Sequence, residues 1–134
     1  MRSRAATRSR RLLTAATVVA LGAAGLTALP ACSPQCPSAV NLTVIIPVIY
    51  RFDQQSYSAT AKAGCALVVR FENHDGQSHS LVFLGDNGAP FGRRLLAPGV
   101  GRTYSVSAKA GNYTLYCDIP GHRENGQQAA LTVS

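Results

Sequence analysis

Cys117 and His122 stand five residues apart in Tyr116-Cys117-Asp118-Ile119-Pro120-Gly121-His122, and Gln127 follows five further on. The strand-like run Asn112–Tyr116 carries the cysteine to its end. Pro120-Gly121 then turns the chain back, so a single loop can bring a thiolate and an imidazole to one point. His79 stands at the mouth of another strand-like run, Ser80–Leu84, directly after a polar turn. Two imidazoles, one thiolate and a weak fourth donor suit an ion alternating between Cu(I), which favours soft sulfur, and Cu(II), which favours nitrogen. No methionine follows Met1, and Gln127 lies where an axial donor would fall. Each residue also has a plainer use: Cys117 as a buried structural thiol, His122 as loop surface, Gln127 as one of two neighbouring loop amides with Gln128. His74, five positions before His79, reads as a solvated turn residue, and Arg93 and Arg94 as an exposed basic pair.

The elements that must position these residues are short. Runs rich in β-branched and aromatic residues cover Asn41–Tyr50, Ala66–Glu72, Ser80–Leu84, Arg102–Ser107, Asn112–Tyr116 and Ala129–Val133. Gly64, Asp75-Gly76, Asn87-Gly88, Pro98-Gly99, Gly111 and Pro120-Gly121 punctuate them, and no amphipathic helix appears. Such spacing predicts an all-β domain over residues 41–134, an antiparallel Greek-key sandwich. Pro47 inside the first run predicts an edge position or a bulge, because proline cannot donate to a sheet ladder.

At 134 residues the chain holds one domain. Its formal charge of +7 is concentrated in Arg2, Arg4, Arg8, Arg10 and Arg11. From residue 32 onward eight basic residues against six acidic leave +2, so the basic face needed for nucleic-acid binding is missing. Residues 1–31 read as an export signal, with an uncharged apolar run over 12–31. Ser9-Arg10-Arg11-Leu12-Leu13 resembles a twin-arginine signal, with plain Sec export the other route. Leu29-Pro30-Ala31-Cys32 resembles a bacterial lipobox, which makes Cys32 a lipidation site and 32–40 a tether. Plain secretion and an uncleaved anchor are the other readings. All three place the domain outside the cytoplasm, where a disulfide is expected. Cys36 with Cys65 is the expected pair and Cys32 with Cys36 the alternative; either leaves Cys117 free.

The series Ala63-Gly64, Phe71-Glu72-Asn73, His79-Ser80-Leu81-Val82-Phe83, Pro98-Gly99, Gly111-Asn112-Tyr113 and Tyr116-Cys117-x-Ile119-Pro120-Gly121-His122 resembles, in order, the cupredoxins, the family of plastocyanin, amicyanin and stellacyanin. The resemblance runs from about Asn41 to Ser134. It implies a β-sandwich with one type 1 copper ion held by His79, Cys117 and His122, with a stellacyanin-like Gln127 in place of the usual methionine. Ser80 stands where many members have asparagine. The resemblance further implies a backbone N–H, that of Ser80, on the thiolate, and an electron route through the edge of His122 inside an apolar rim. Pro120 and Pro90-Phe91 are the residues expected to form that rim.

The function expected is one-electron transfer between redox protein partners by an exported, lipid-anchored monomer that converts no substrate. Copper storage, delivery or resistance at the same site is the alternative. A multicopper oxidase is disfavoured, because a trinuclear centre needs many histidines and the chain has three. Tyr116 and Asp118 also stand where such a centre needs histidines beside the cysteine.

Overall fold

The structure, a computed structural model, describes residues 35–134. The export signal, the lipidation site Cys32 and the start of the tether lie outside the described residues. Among the described residues eight strands succeed one another: β1 Leu42–Ile46, β2 Ser56–Ala59, β3 Leu67–Asn73, β4 His79–Gly85, β5 Pro90–Leu96, β6 Gly101–Val106, β7 Gly111–Tyr116 and β8 Gln128–Val133. They form a three-stranded sheet, β1-β3-β6, and a five-stranded sheet, β2-β8-β7-β4-β5. No helix occurs among the described residues.

Alternation explains which face each strand turns inward. Leu42, Val44 and Ile46 of β1, with Leu67, Val69 and Phe71 of β3, meet Leu81 and Phe83 of β4, Leu115 of β7 and Leu131 of β8 in one apolar cluster. Phe71 and Phe83 are fully buried, each contributing roughly 1.5–3 kcal/mol relative to an exposed side chain. Two of these inward rows end in polar chemistry at the same end of the sandwich. Phe83, Leu81 and His79 share one face of β4, and Leu115 leads to Cys117 just past β7.

Four of the six strand pairings are antiparallel; β1 with β3 and β2 with β8 are parallel. Strands β1 and β2 are both sheet edges. The first strand-like run of the sequence is cut short at Ile46, before Pro47, where the chain enters a tight turn closed by a bridge from Val48 to Arg51. Strands β2 and β5 do not stand out as strand-like runs in the sequence. Cys36 and Cys65 are joined by a disulfide.

Candidate metal centre

The register of the central strands brings the separate segments together. In the β4–β7 ladder Val82 pairs with Tyr116, so two steps further along Ser80 faces Asp118, with His79 and Cys117 at the same end. Cys117 leaves β7 with its N–H donating to the Gln127 carbonyl at 3.1 Å, which pinches the loop to β8 at its base. Within that loop the Gln127 N–H donates to the His122 carbonyl at 3.0 Å and the His122 N–H to the Ile119 carbonyl at 3.0 Å. Gly121 and Gly126 take φ values of 84° and 104°, a region open mainly to glycine. The loop is therefore a closed hydrogen-bonded unit that presents three side chains inward.

The structure brings His79, Cys117 and His122 to one point: their ligand atoms all lie within 4.8 Å of one another. The Nδ1 atoms of the two histidines are 3.1 Å apart, and His122 Nδ1 is 3.5 Å from Cys117 Sγ. Gln127 Oε1 joins them at 3.0 Å from each Nδ1. Cys117, His79 and Gln127 are wholly buried and His122 is 6% exposed.

His79 is oriented from behind. Its Nε2 lies 2.8 Å from Asp75 Oδ2, and an ionised carboxylate only accepts, so the ring proton sits on Nε2. In the neutral ring Nδ1 then turns a lone pair to the cluster, as a carboxylate–histidine–metal arrangement requires. The N–H of His79 holds the Asp75 carboxyl below the usual carboxylate range, with the Gly76 and Gln77 N–H groups adding to it against the cost of burial. Asp75 is placed by Asn73, whose Oδ1 accepts the Asp75 N–H at 3.0 Å. The Asn73 side-chain amide donates to the carbonyls of Gln77 at 2.7 Å and Ala97 at 3.1 Å.

The lone pairs of His79 Nδ1 and Gln127 Oε1 face each other at 3.0 Å inside the protein. Two acceptors at that separation repel unless a cation lies between them. Gln127 Nε2 is buried without a partner, an arrangement that costs about 1–3 kcal/mol on its own. The amide is thus committed to the cluster through its oxygen. Both observations fit a soft to intermediate metal ion held by two nitrogens and a thiolate, with the amide oxygen as a further donor.

The sulfur accepts a hydrogen bond from the Ser80 N–H at 3.3 Å. Next to it, Asp118 accepts from Ser80 Oγ at 2.6 Å and from Arg93 Nε at 2.6 Å. The Arg93 guanidinium is the main reason the Asp118 carboxyl sits below its ordinary range; burial opposes this and Ser80 assists. Arg93 is therefore tied to the site, although its side chain is half exposed. Tyr50 packs edge-on against His122 with ring centroids 5.1 Å apart. It holds φ at 62°, a non-glycine conformation that costs of order 1–3 kcal/mol and persists only when its surroundings enforce it.

Asp75, Asn73, Tyr50, Arg93 and Asp118 are not legible in the sequence as site residues. Asp118 has one signal, its position beside Cys117. Pro90 and Phe91 do not reach the expected rim. Pro90 pairs with Leu84 at the far end of β4 from His79, and Phe91 packs on Phe83 and Tyr113. His74 is exposed beside Glu72, outside the cluster.

No protein-family model and no curated protein matches the sequence. Solved structures do match in fold. An auracyanin from Roseiflexus castenholzii is 18% identical with a TM-score of 0.60, over 73% of this chain and 99% of that one. Auracyanin A from Chloroflexus aurantiacus, described as a blue copper protein, is 20% identical with a TM-score of 0.53, over 69% and 99%. A purple cupredoxin from Nitrosopumilus maritimus is 19% identical with a TM-score of 0.52, over 70% and 100%.

Proposed function

From a chain with the cupredoxin fold, we propose a type 1 copper protein that carries single electrons between redox partners outside the cytoplasm. The observation that supports this most directly is the convergence of His79, Cys117, His122 and Gln127 on one buried point. In this reading His79 Nδ1, His122 Nδ1 and Cys117 Sγ would hold the ion, with Gln127 Oε1 as a fourth, weaker donor. Copper bound there supplies a one-electron couple between Cu(I) and Cu(II). The chain's own part is to keep the donors still. The sandwich fixes His79 and Cys117, the pinched loop fixes His122 and Gln127, and Asp75 fixes the tautomer of His79. Donors that do not rearrange between oxidation states leave little reorganisation to slow transfer. His122, the least buried of the four, is the exit toward a partner.

The leader, the lipobox-like Cys32 and the Cys36–Cys65 disulfide support an exported, membrane-tethered protein. Copper delivery by the same site differs in outcome: it predicts stoichiometric transfer of the ion to an apo-acceptor rather than reversible cycling.

The test is spectroscopic. Adding Cu(II) to the chain is expected to produce an intense blue thiolate-to-copper band, absent in Cys117→Ala, with a reversible midpoint potential. A chain that binds Cu(II) with only weak ligand-field absorption would overturn the proposal.

A further inference from the structure

The Ser80 hydroxyl has one proton and two acceptors within reach. Asp118 Oδ1 is 2.6 Å from Ser80 Oγ and Cys117 Sγ is 3.4 Å away. A hydroxyl donates once, and the carboxylate oxygen takes it in a short charge-assisted bond, whereas the larger, more diffuse sulfur is a weak acceptor at its longer distance. At these distances the proton goes to Asp118. The lone pair of the same hydroxyl accepts the Asp118 backbone N–H at 2.9 Å, so Ser80 and Asp118 close a two-bond ring that turns the hydroxyl away from the sulfur. Asp118 is held in that role from its other side: Arg93 Nε occupies Oδ2 at 2.6 Å and leaves Oδ1 to Ser80.

We infer that Asp118, anchored by Arg93, is a positioning residue that withholds the Ser80 hydroxyl from the Cys117 thiolate and so keeps the sulfur on a single backbone hydrogen bond. The inference rests on the type 1 copper reading of the site. A hydrogen bond to the sulfur weakens its donation to Cu(II) and raises the reduction potential. Withholding the second bond therefore sets the potential lower than the surrounding groups would otherwise give.

The experiment is a double-mutant cycle on the copper-loaded chain, with midpoint potential and the energy of the thiolate-to-copper band as readouts. Ser80→Ala removes a hydroxyl that does not bond the sulfur and keeps the backbone donor; it is expected to shift the redox equilibrium less than about twofold, with the band in place. Asp118→Ala frees the hydroxyl to swing to the sulfur. The expected shift toward Cu(I) is about tenfold, about 59 mV for one electron, with the band moving to higher energy. In the Ser80→Ala background the same Asp118→Ala change is expected to lose that decade, leaving only the effect of the deleted charge. Asp118→Asn keeps an acceptor for the hydroxyl and is expected to shift the potential equally in both Ser80 backgrounds. Asp118 is partly exposed, so truncation leaves the apolar core intact. Equal shifts for Asp118→Ala in both backgrounds would overturn the inference while leaving copper binding untouched. A wild-type chain with no blue band would instead overturn the proposed function.

Discussion

At the scale of single residues, Gln127 has more consequence than its conservative chemistry suggests. Its oxygen faces two imidazole nitrogens at 3.0 Å while its nitrogen is buried without a partner. An amide oxygen is a harder donor than a thioether and favours Cu(II) over Cu(I). Gln127→Met is therefore expected to raise the midpoint potential by at least one decade in the redox equilibrium, about 59 mV for one electron. It also removes the orphaned Nε2. Protein-film voltammetry checks this, and an unchanged or lowered potential would remove Gln127 from the axial role. The spacing Cys117-x4-His122-x4-Gln127 is legible in the sequence because all three side chains lie in one loop, where sequence distance limits spatial distance. Asp75, Arg93 and Asp118 are not, because their roles depend on which strand lies beside which. No local pattern assigns Arg93 to Asp118, 25 residues away.

Between residue and fold, the informative element is β5. Its sequence Pro90-Phe-Gly-Arg-Arg-Leu-Leu96 lacks the period of two that marks a strand, and the ladder shows why. Phe91 pairs with Phe83 and Arg94 with Leu81, so Gly92 and Arg93 together oppose Val82 alone. This is a β-bulge with glycine in the left-handed region, at φ 64°. The extra residue resets the alternation, hides the strand from a pattern search, and presents Arg93 toward Asp118. Strand β2 escapes for a simpler reason: Ser56–Ala59 is four residues long and only Tyr57 is a strong strand former. A Cβ on Gly92 would lie 3.0 Å from Val106 Cγ1 and 3.2 Å from Phe83 Cδ2. Gly92→Ala is thus expected to cost about 2–4 kcal/mol, combining left-handed strain with overpacking. Gly88→Ala has similar backbone strain, at φ 72°, but open space around it, and should cost about 1–2 kcal/mol. Urea midpoints of the two variants compare strain with and without the clash; equal losses would mean that the core beneath the bulge yields.

Across the whole molecule, stability and metal chemistry are placed at opposite ends of the sandwich. Cys65 lies beside Ala108, Ala110 and Ser134 around a surface cavity, next to where β7 begins and β8 ends. Cys117 lies past the other end of β7, about 20 Å away for six residues of extended chain. The disulfide closes a loop with a sequence separation of 29 that contains β1 and β2, the edge strands with parallel pairing. Parallel pairing brings together strands with no short hairpin between them, so these edges gain the most from a shorter loop-closure search. Changing both cysteines, Cys36→Ser with Cys65→Ser, is expected to lower unfolding free energy by about 3–4 kcal/mol, a large part of the roughly 5–15 kcal/mol of a typical domain. The blue band and midpoint potential of the folded, copper-loaded variant should match the parent. The donors are held by β4, β7, their register and the pinched loop, none of which the bridge touches. Chemical denaturation paired with absorption spectroscopy reads both quantities on one sample. A potential that moved with the bridge would mean that the edge strands transmit strain through the core to Cys117, and that the site is not held by its own two strands and loop.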